Sequence, residues 1–134
     1  MDCLFCKIVV QEIPARVIYE DAEALAFLDI HPKAPGHAVI IPKVHADKLS
    51  DLAEDYVAPL FLAVRRVAQV IRERLRADGM TIGINEGRAG GQAVAHLHIH
   101  VVPRFEGDGG GSIHSIVENV PKESLEALQK KLQQ

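Results

Sequence analysis

Apolar and polar positions alternate over Arg16–Glu20, with Val17 and Tyr19 opposed to Ile18, and an apolar arm follows at Ala24–Asp29. With the turn Asp21-Ala22-Glu23 between them, the two arms predict a β-hairpin. Before it, Cys3–Val10 is short and apolar and predicts a brief helical turn, broken by Ile13-Pro14-Ala15. After it, the prolines and glycine of Ile30–Gly36 exclude helix and central strand, so a loop is expected there. A third strand is predicted at His37–Ile41, stopping at Pro42.

The period then changes. Leu60, Val64, Val67, Ile71 and Leu75 fall on one helical stripe, with Arg65, Arg66, Arg72, Glu73 and Arg76 largely off it. A long helix is expected between Asp51 and Ala77. Pro59 suits a first turn, which would put the start as late as Tyr56–Ala58; otherwise a kink falls there. Asp78-Gly79 is the expected stop. Met80–Asn85 reads as a fourth strand, Gly87–Gly91 as a glycine-rich loop and Val94–Val102 as a fifth strand. Glu106–Ser112 should be mobile, and Lys122–Leu132 suits a last amphipathic helix on Leu125, Leu128 and Leu132. Hairpin strands, one long helix and two further strands make an α+β fold with an antiparallel five-stranded sheet.

The 134 residues form a single expected domain, 1–134, large enough to bury a core without covalent staples. A formal charge of -3 gives no electrostatic case for a nucleic-acid polymer as partner. No apolar run approaches a membrane span, and Met1–Lys7 lacks the layout of a signal peptide. With two cysteines in a chain that shows no export signal, a reducing, cytoplasmic setting is expected.

Candidate chemistry centres on His96-Leu97-His98-Ile99-His100. On a strand, residues i, i+2 and i+4 share a face, so three imidazoles would line up while Leu97, Ile99 and Val101 face the core. No G-x-x-x-x-G-K-[ST] loop, no dinucleotide fingerprint and no G-x-S-x-G elbow is present. A neutral imidazole is itself a competent nucleophile near neutral pH. Attack on phosphorus would give an N–P bond that water can break, with flanking imidazoles donating to the non-bridging oxygens. Which of the three attacks does not follow from spacing. Cys3-Leu4-Phe5-Cys6 offers two soft thiolate ligands that need two more for a closed tetrahedral site. Unligated thiols and a redox pair are the alternatives.

The stretch Gly91–Arg104 resembles the signature of the histidine triad family, H-φ-H-φ-H-φ-φ. Phe27–Ile30, Ala34–His45 and Asn85 extend the resemblance over most of the chain. The family consists of nucleotide-binding hydrolases and transferases that release a nucleoside monophosphate through a nucleotidyl-histidine intermediate. The resemblance implies His98 as nucleophile, His100 on the α-phosphate and His37 orienting the triad. It also implies Asp29 on the ribose hydroxyls, Phe5, Ile8, Phe27 and Ile30 around the base, and Asn85 and Gln92 as phosphate-side donors. It implies a structural zinc held by Cys3, Cys6, His45 and His96, and a homodimer whose two sheets are continuous. Many members carry Ser or Thr where this chain has Ala93. A hydroxyl able to reach the phosphate or leaving group is therefore missing.

The expected function is hydrolysis or transfer of a nucleoside monophosphate, AMP above all, from a phosphoramidate, an adenylate or a dinucleoside polyphosphate. The alternatives are a nucleotide-binding regulatory module with negligible turnover and a zinc-structured interaction protein. An intact His96-His98-His100 favours the enzyme, because binding alone does not need the middle nucleophile.

Overall fold

In the computed structural model, which describes residues 2–134, the elements follow the predicted order. They are α1 (Leu4–Val9), β1 (Val17–Glu20), β2 (Ala24–Leu28), β3 (Ala38–Pro42), α2 (Glu54–Leu75), β4 (Gly79–Gly83), β5 (Ile99–Arg104) and α3 (Leu125–Leu132). The five strands form one antiparallel sheet in the order β1-β2-β3-β5-β4.

Side-chain alternation sorts the residues onto two faces. Ala24 and Ala26 of β2, Ala38 and Ile40 of β3, and Ile99 and Val101 of β5 pack against α2 through Leu60, Val64, Val67 and Ile71. The small alanines let the helix lie close to the sheet, and this layer is the main core. The opposite face carries Leu25, Phe27, Val39 and Ile41, covered by Phe5 and Ile8 from α1. That second face also carries the imidazoles, since His37 shares parity with Val39, and His98 and His100 alternate with Ile99.

Several boundaries differ from expectation for physical reasons. Helix α2 starts at Glu54, so Pro59 lies inside it and removes one interior hydrogen bond. Its end is not set by Gly79, which is already in β4. Arg76 takes the left-handed conformation (φ 54°), and the Ala77 N–H returns to the Arg72 carbonyl. Leu75 leaves the buried stripe and reaches over the turn at Gly36. Gly36 has φ 86°, and a Cβ there would collide with Leu75 Cδ1. Segment 106–112, expected to be mobile, is closed around one ion pair. Arg104 donates to both Asp108 carboxylate oxygens (2.9 and 3.0 Å), to the Gly111 carbonyl and to Thr81 Oγ1. The Phe105 and Gly110 N–H groups donate to the same carboxylate, and together these contacts hold Asp108 well below the usual carboxylate range.

Helix α3 forms where its periodicity places it, capped by Ser124, yet buries no residue. Leu125 is 79% exposed and Leu132 76%, and Ile113, Ile116, Val117 and Val120 are exposed before them.

Candidate active site and metal centre

The fifth strand begins at Ile99 and not at Val94, and this shift divides the histidines. Residues Val94–His96 bend, with the His96 N–H on the Val94 carbonyl (2.8 Å). His98 and His100 remain neighbours on the α1 face, ring centres 5.1 Å apart. His96 is turned away and is fully buried beside the N-terminal cysteines. The three imidazoles therefore do not form one row. Leu97, Ile99 and Val101 do face the core, all at or below 1% exposure.

His98 has its Nδ1 2.7 Å from the backbone oxygen of His96. A carbonyl only accepts, so Nδ1 carries the proton and the lone pair sits on Nε2. That tautomer leaves the Nε2 lone pair of the middle histidine without a hydrogen-bond partner among the described residues, a point on which spacing was silent. Phe5 meets the His98 ring edge-on at 5.1 Å and 86°, and packs on Phe27 at 5.5 Å. Phe5, Ile8 and Phe27 thus form one apolar wall beside His98. Ile30, expected with them, stands 83% exposed at the start of the loop.

Asp29 follows β2 directly, and its N–H donates to the His37 carbonyl (3.0 Å), which sets the two residues side by side. Its Oδ1 accepts from the His31 N–H (2.8 Å), while Oδ2 lies 3.5 Å from His37 Nε2 and 3.9 Å from His100 Nδ1. The carboxylate therefore both closes a turn and faces the imidazoles. His37 Nε2 and His100 Nδ1 are 2.9 Å apart. Burial holds both rings below the ordinary imidazole value of 6.5, against the pull of Asp29 in the other direction. A cleft of about 430 Å³ opens beside them, lined by Leu28, Asp29, Pro32, Pro35 and His37 among others.

Gln92 does not have the free amide expected of a phosphate donor. Its Nε2 donates both hydrogens, to the Asp47 carbonyl (2.8 Å) and the Val94 carbonyl (3.0 Å), and its Oε1 accepts from the Gly87 N–H. It clamps the glycine loop instead. Asn85 is exposed, with its side chain beside Gly91, whose φ of 90° turns the loop at that point.

The second cluster is built from residues far apart in the chain. Cys3 Sγ lies 3.4 Å from His96 Nδ1, and Cys6 Sγ lies 3.3 Å from His45 Nδ1 and 3.5 Å from His96 Nδ1. The four donor atoms all fall within 4.8 Å of one another. A tetrahedral ion with Zn–S of about 2.3 Å and Zn–N of about 2.0–2.1 Å requires S···N edges of about 3.5 Å, so the spacing fits. Tautomers fit as well. His96 Nε2–H donates to the Pro42 carbonyl (2.9 Å) and His45 Nε2–H to Asp47 Oδ1 (3.0 Å), which leaves both Nδ1 lone pairs facing the thiols. Burial and the neighbouring Cys3 push the Cys6 thiol up to about 11, so the thiolate form needs a cation. With both ring nitrogens engaged, His96 has none left for a substrate. Asp47 and the Pro42 carbonyl were not foreseen; an acidic residue two positions after His45 was the available signal.

The chain is thus an α+β protein with an antiparallel sheet backed by one long helix, an imidazole cluster on the face that α1 partly covers, and a Cys₂His₂ group beside it. The HIT domain family matches residues 10–107, and the chain belongs to the HIT family of nucleotide-binding, hydrolase-like proteins. An uncharacterised HIT-like protein of Methanocaldococcus jannaschii is 42% identical over 118 residues, 88% of this chain and 91% of that one. The adenylylsulfatase HINT3 of Arabidopsis thaliana is 38% identical over 107 residues, 80% of this chain and 54% of that one. The crystal structure of a Zn-bound histidine triad family protein from Mycobacterium smegmatis is similar with a TM-score of 0.77 and 46% identity. It covers 81% of this chain and 79% of that one. Among the described residues no helix is long and apolar enough to cross a membrane.

Proposed function

We propose that this protein hydrolyses or transfers a nucleoside monophosphate, AMP in the first instance, through a covalent intermediate on His98. The observation that carries the reading is the 2.7 Å contact of His98 Nδ1 with the His96 carbonyl, which leaves Nε2 as a free nucleophile. In the first step Nε2 forms a bond to the α-phosphorus as the bond to the leaving group breaks, and the leaving group takes a proton from solvent. Water then attacks phosphorus, the N–P bond breaks, and the water's proton is released as AMP departs. His100 donates to a non-bridging oxygen, His37 orients His100, and Asp29 accepts from the ribose hydroxyls. The base lies along Phe5, Ile8 and Phe27, with Ile30 at the cleft mouth, and Asn85 serves the phosphate side. The leaving group belongs to a phosphoramidate, an adenylate or a dinucleoside polyphosphate. The name of the Arabidopsis relative favours the adenylate class.

Zinc at Cys3, Cys6, His45 and His96 is structural in this reading, and would be held without contact to the reacting phosphorus. It would join α1, the segment after β3 and the approach to β5. The protein acts as a cytoplasmic homodimer. The exposed apolar surface supports this: Phe61, Leu62 and Val70 on α2, and the row from Ile113 to Leu132 that touches no core. Ala63, on the same helix, is in the core.

His98→Ala should lose several orders of magnitude in kcat on an adenosine phosphoramidate while AMP still binds. Acid quenching of wild type should trap α-phosphate label on the protein. A variant that turns over normally would sink the mechanism. Assays across the phosphoramidate, a diadenosine polyphosphate and ADP then define the leaving group, and no turnover on any of them would favour a binding-only module.

A further inference from the structure

Asp29, His37 and His100 form a second group of potential metal donors, their facing atoms within 4.8 Å of one another. Their chemistry depends on where two protons sit. A neutral imidazole has one N–H and one lone pair, so the partner of one nitrogen fixes the role of the other. The loop between β2 and β3 folds back to place the Lys33 backbone N–H 3.1 Å from His37 Nδ1. An amide N–H can only donate, so Nδ1 must hold the lone pair and Nε2 the proton. That proton faces His100 Nδ1 at 2.9 Å and Asp29 Oδ2 at 3.5 Å, and the shorter contact is the hydrogen bond. His100 Nδ1 is then the acceptor, and the proton of His100 is left on Nε2.

We infer that the Lys33 backbone N–H is a positioning group that fixes the tautomers of His37 and His100 and closes the Asp29–His37–His100 cluster to metal ions. A metal bound through His37 Nε2 would drive the proton to Nδ1, where it would oppose the Lys33 N–H. Protonated His37 meets the same conflict, so Asp29 and His37 are neighbours and not an ion pair. The carboxylate charge of Asp29 stays available for a ligand diol. The Cys₂His₂ group shows the reverse arrangement. There, Asp47 and the Pro42 carbonyl accept the Nε2 protons of His45 and His96 and free their Nδ1 lone pairs. One cluster is closed to metal by a donor behind the ring, and the other is opened by acceptors.

The turn that delivers this N–H is written into the loop. Pro32 and Pro35 bracket Lys33 and Ala34, and Gly36 at φ 86° lets the His37 N–H reach the Ala34 carbonyl (3.1 Å). The Lys33 side chain makes none of these hydrogen bonds; its ammonium charge only adds to the lowering of the His37 pKa. The catalytic consequence, a His100 Nε2–H preset to donate to phosphate, rests on the function proposed above; the tautomers and the metal exclusion do not.

Ring-nitrogen NMR of the zinc-loaded wild-type protein tests the assignment directly. His37 and His100 should each show a protonated Nε2 and an unprotonated Nδ1, and a His37 carrying its proton on Nδ1 would overturn it. Manganese(II) added to the zinc-loaded protein should leave both rings unbroadened, whereas selective broadening of the pair would refute the exclusion. Lys33→Ala keeps the N–H and should retain both tautomers. Lys33→Pro removes it, and should redistribute the His37 tautomers and lower kcat about tenfold with KM little changed, the loss set by one hydrogen bond. Unchanged tautomers in Lys33→Pro would overturn the inference, and if that variant fails to fold, the wild-type spectrum decides. Absence of turnover with the tautomers as assigned would defeat the functional reading and leave this one standing.

Discussion

Asp29 carries two tasks with its two oxygens, and they can be separated. Oδ1 closes the turn onto the His31 N–H, and Oδ2 faces the cleft. Asp29→Ala should weaken AMP binding by about 1.5–3 kcal/mol, the range for hydrogen bonds to a charged group. A 2′,3′-dideoxy nucleotide should bind both proteins about equally, and titration calorimetry reads both. Equal AMP affinity in the two proteins would remove the ribose assignment. His37 and His100 make the fold pH-sensitive in a defined direction. Burial holds their folded-state values below 6.5, so below that pH the unfolded chain takes up protons that the folded chain refuses. Stability rises with pH wherever the unfolded state binds more protons, so their contribution is complete above 6.5. It is lost as pH falls toward the folded values. Between about pH 7 and pH 5 the wild-type melting temperature should therefore fall more steeply than that of His37→Asn. Parallel slopes would show that burial of His37 is not the cause. His98 was legible as part of a motif, but the tautomer on which its proposed role rests came only from the His96 carbonyl on Nδ1.

Among the elements, α1 is short and packs through Phe5 and Ile8, and it brings both cysteines to the Cys₂His₂ group. Its six residues place Cys3 at the cap, Cys6 inside and Phe5 against His98. Replacing Cys3 and Cys6 with Ser should remove bound zinc, measured by metal analysis, and lower the melting temperature, because metal affinity is linked to folding. Turnover should fall less than in His98→Ala, since the nucleophile lies outside the metal shell. Full zinc content and an unchanged melting temperature in the double variant would return the cysteines to ordinary residues. The turn before β3 is equally specific. Gly36→Ala should destabilise the fold by about 2–3 kcal/mol, from an unfavourable positive φ and a clash with Leu75, read by denaturant unfolding. The opposite change is available at the end of α2. Arg76 spends a left-handed conformation where glycine is favoured, so Arg76→Gly should be neutral or stabilising by up to about 1 kcal/mol. Sequence reading placed every one of these elements but misjudged their ends. It assigned the stop of α2 to the nearest glycine, whereas the backbone reversed three residues earlier at an arginine.

At the scale of the molecule, segment 113–134 is the largest stretch of apolar side chains left outside the two core clusters. Ile113, Ile116, Val117, Val120, Leu125 and Leu132 are exposed, and the dimer proposed above would cover them with a second copy. Sedimentation equilibrium should report twice the 14.7 kDa chain mass, and Leu125→Glu with Leu132→Glu should shift the population toward monomer. A single 14.7 kDa species at all concentrations would end the dimer proposal. The sequence by itself determined the hairpin, the long helix, the antiparallel α+β sheet and the histidine-bearing strand, because each is a pattern of period two or 3.6 within a few residues of itself. It also marked Cys3 and Cys6 as ligands in need of partners. The family resemblance named His45 and His96, 39 and 90 residues from Cys6, as those partners, and only the tertiary structure brings their ring nitrogens to the thiols. It likewise decided that His96 leaves the row of imidazoles, that Gln92 clamps a loop, and that a backbone N–H at Lys33 sets two protons. Those outcomes depend on contacts closed between distant segments and on the direction of single hydrogen bonds, and neither leaves a period in the chain.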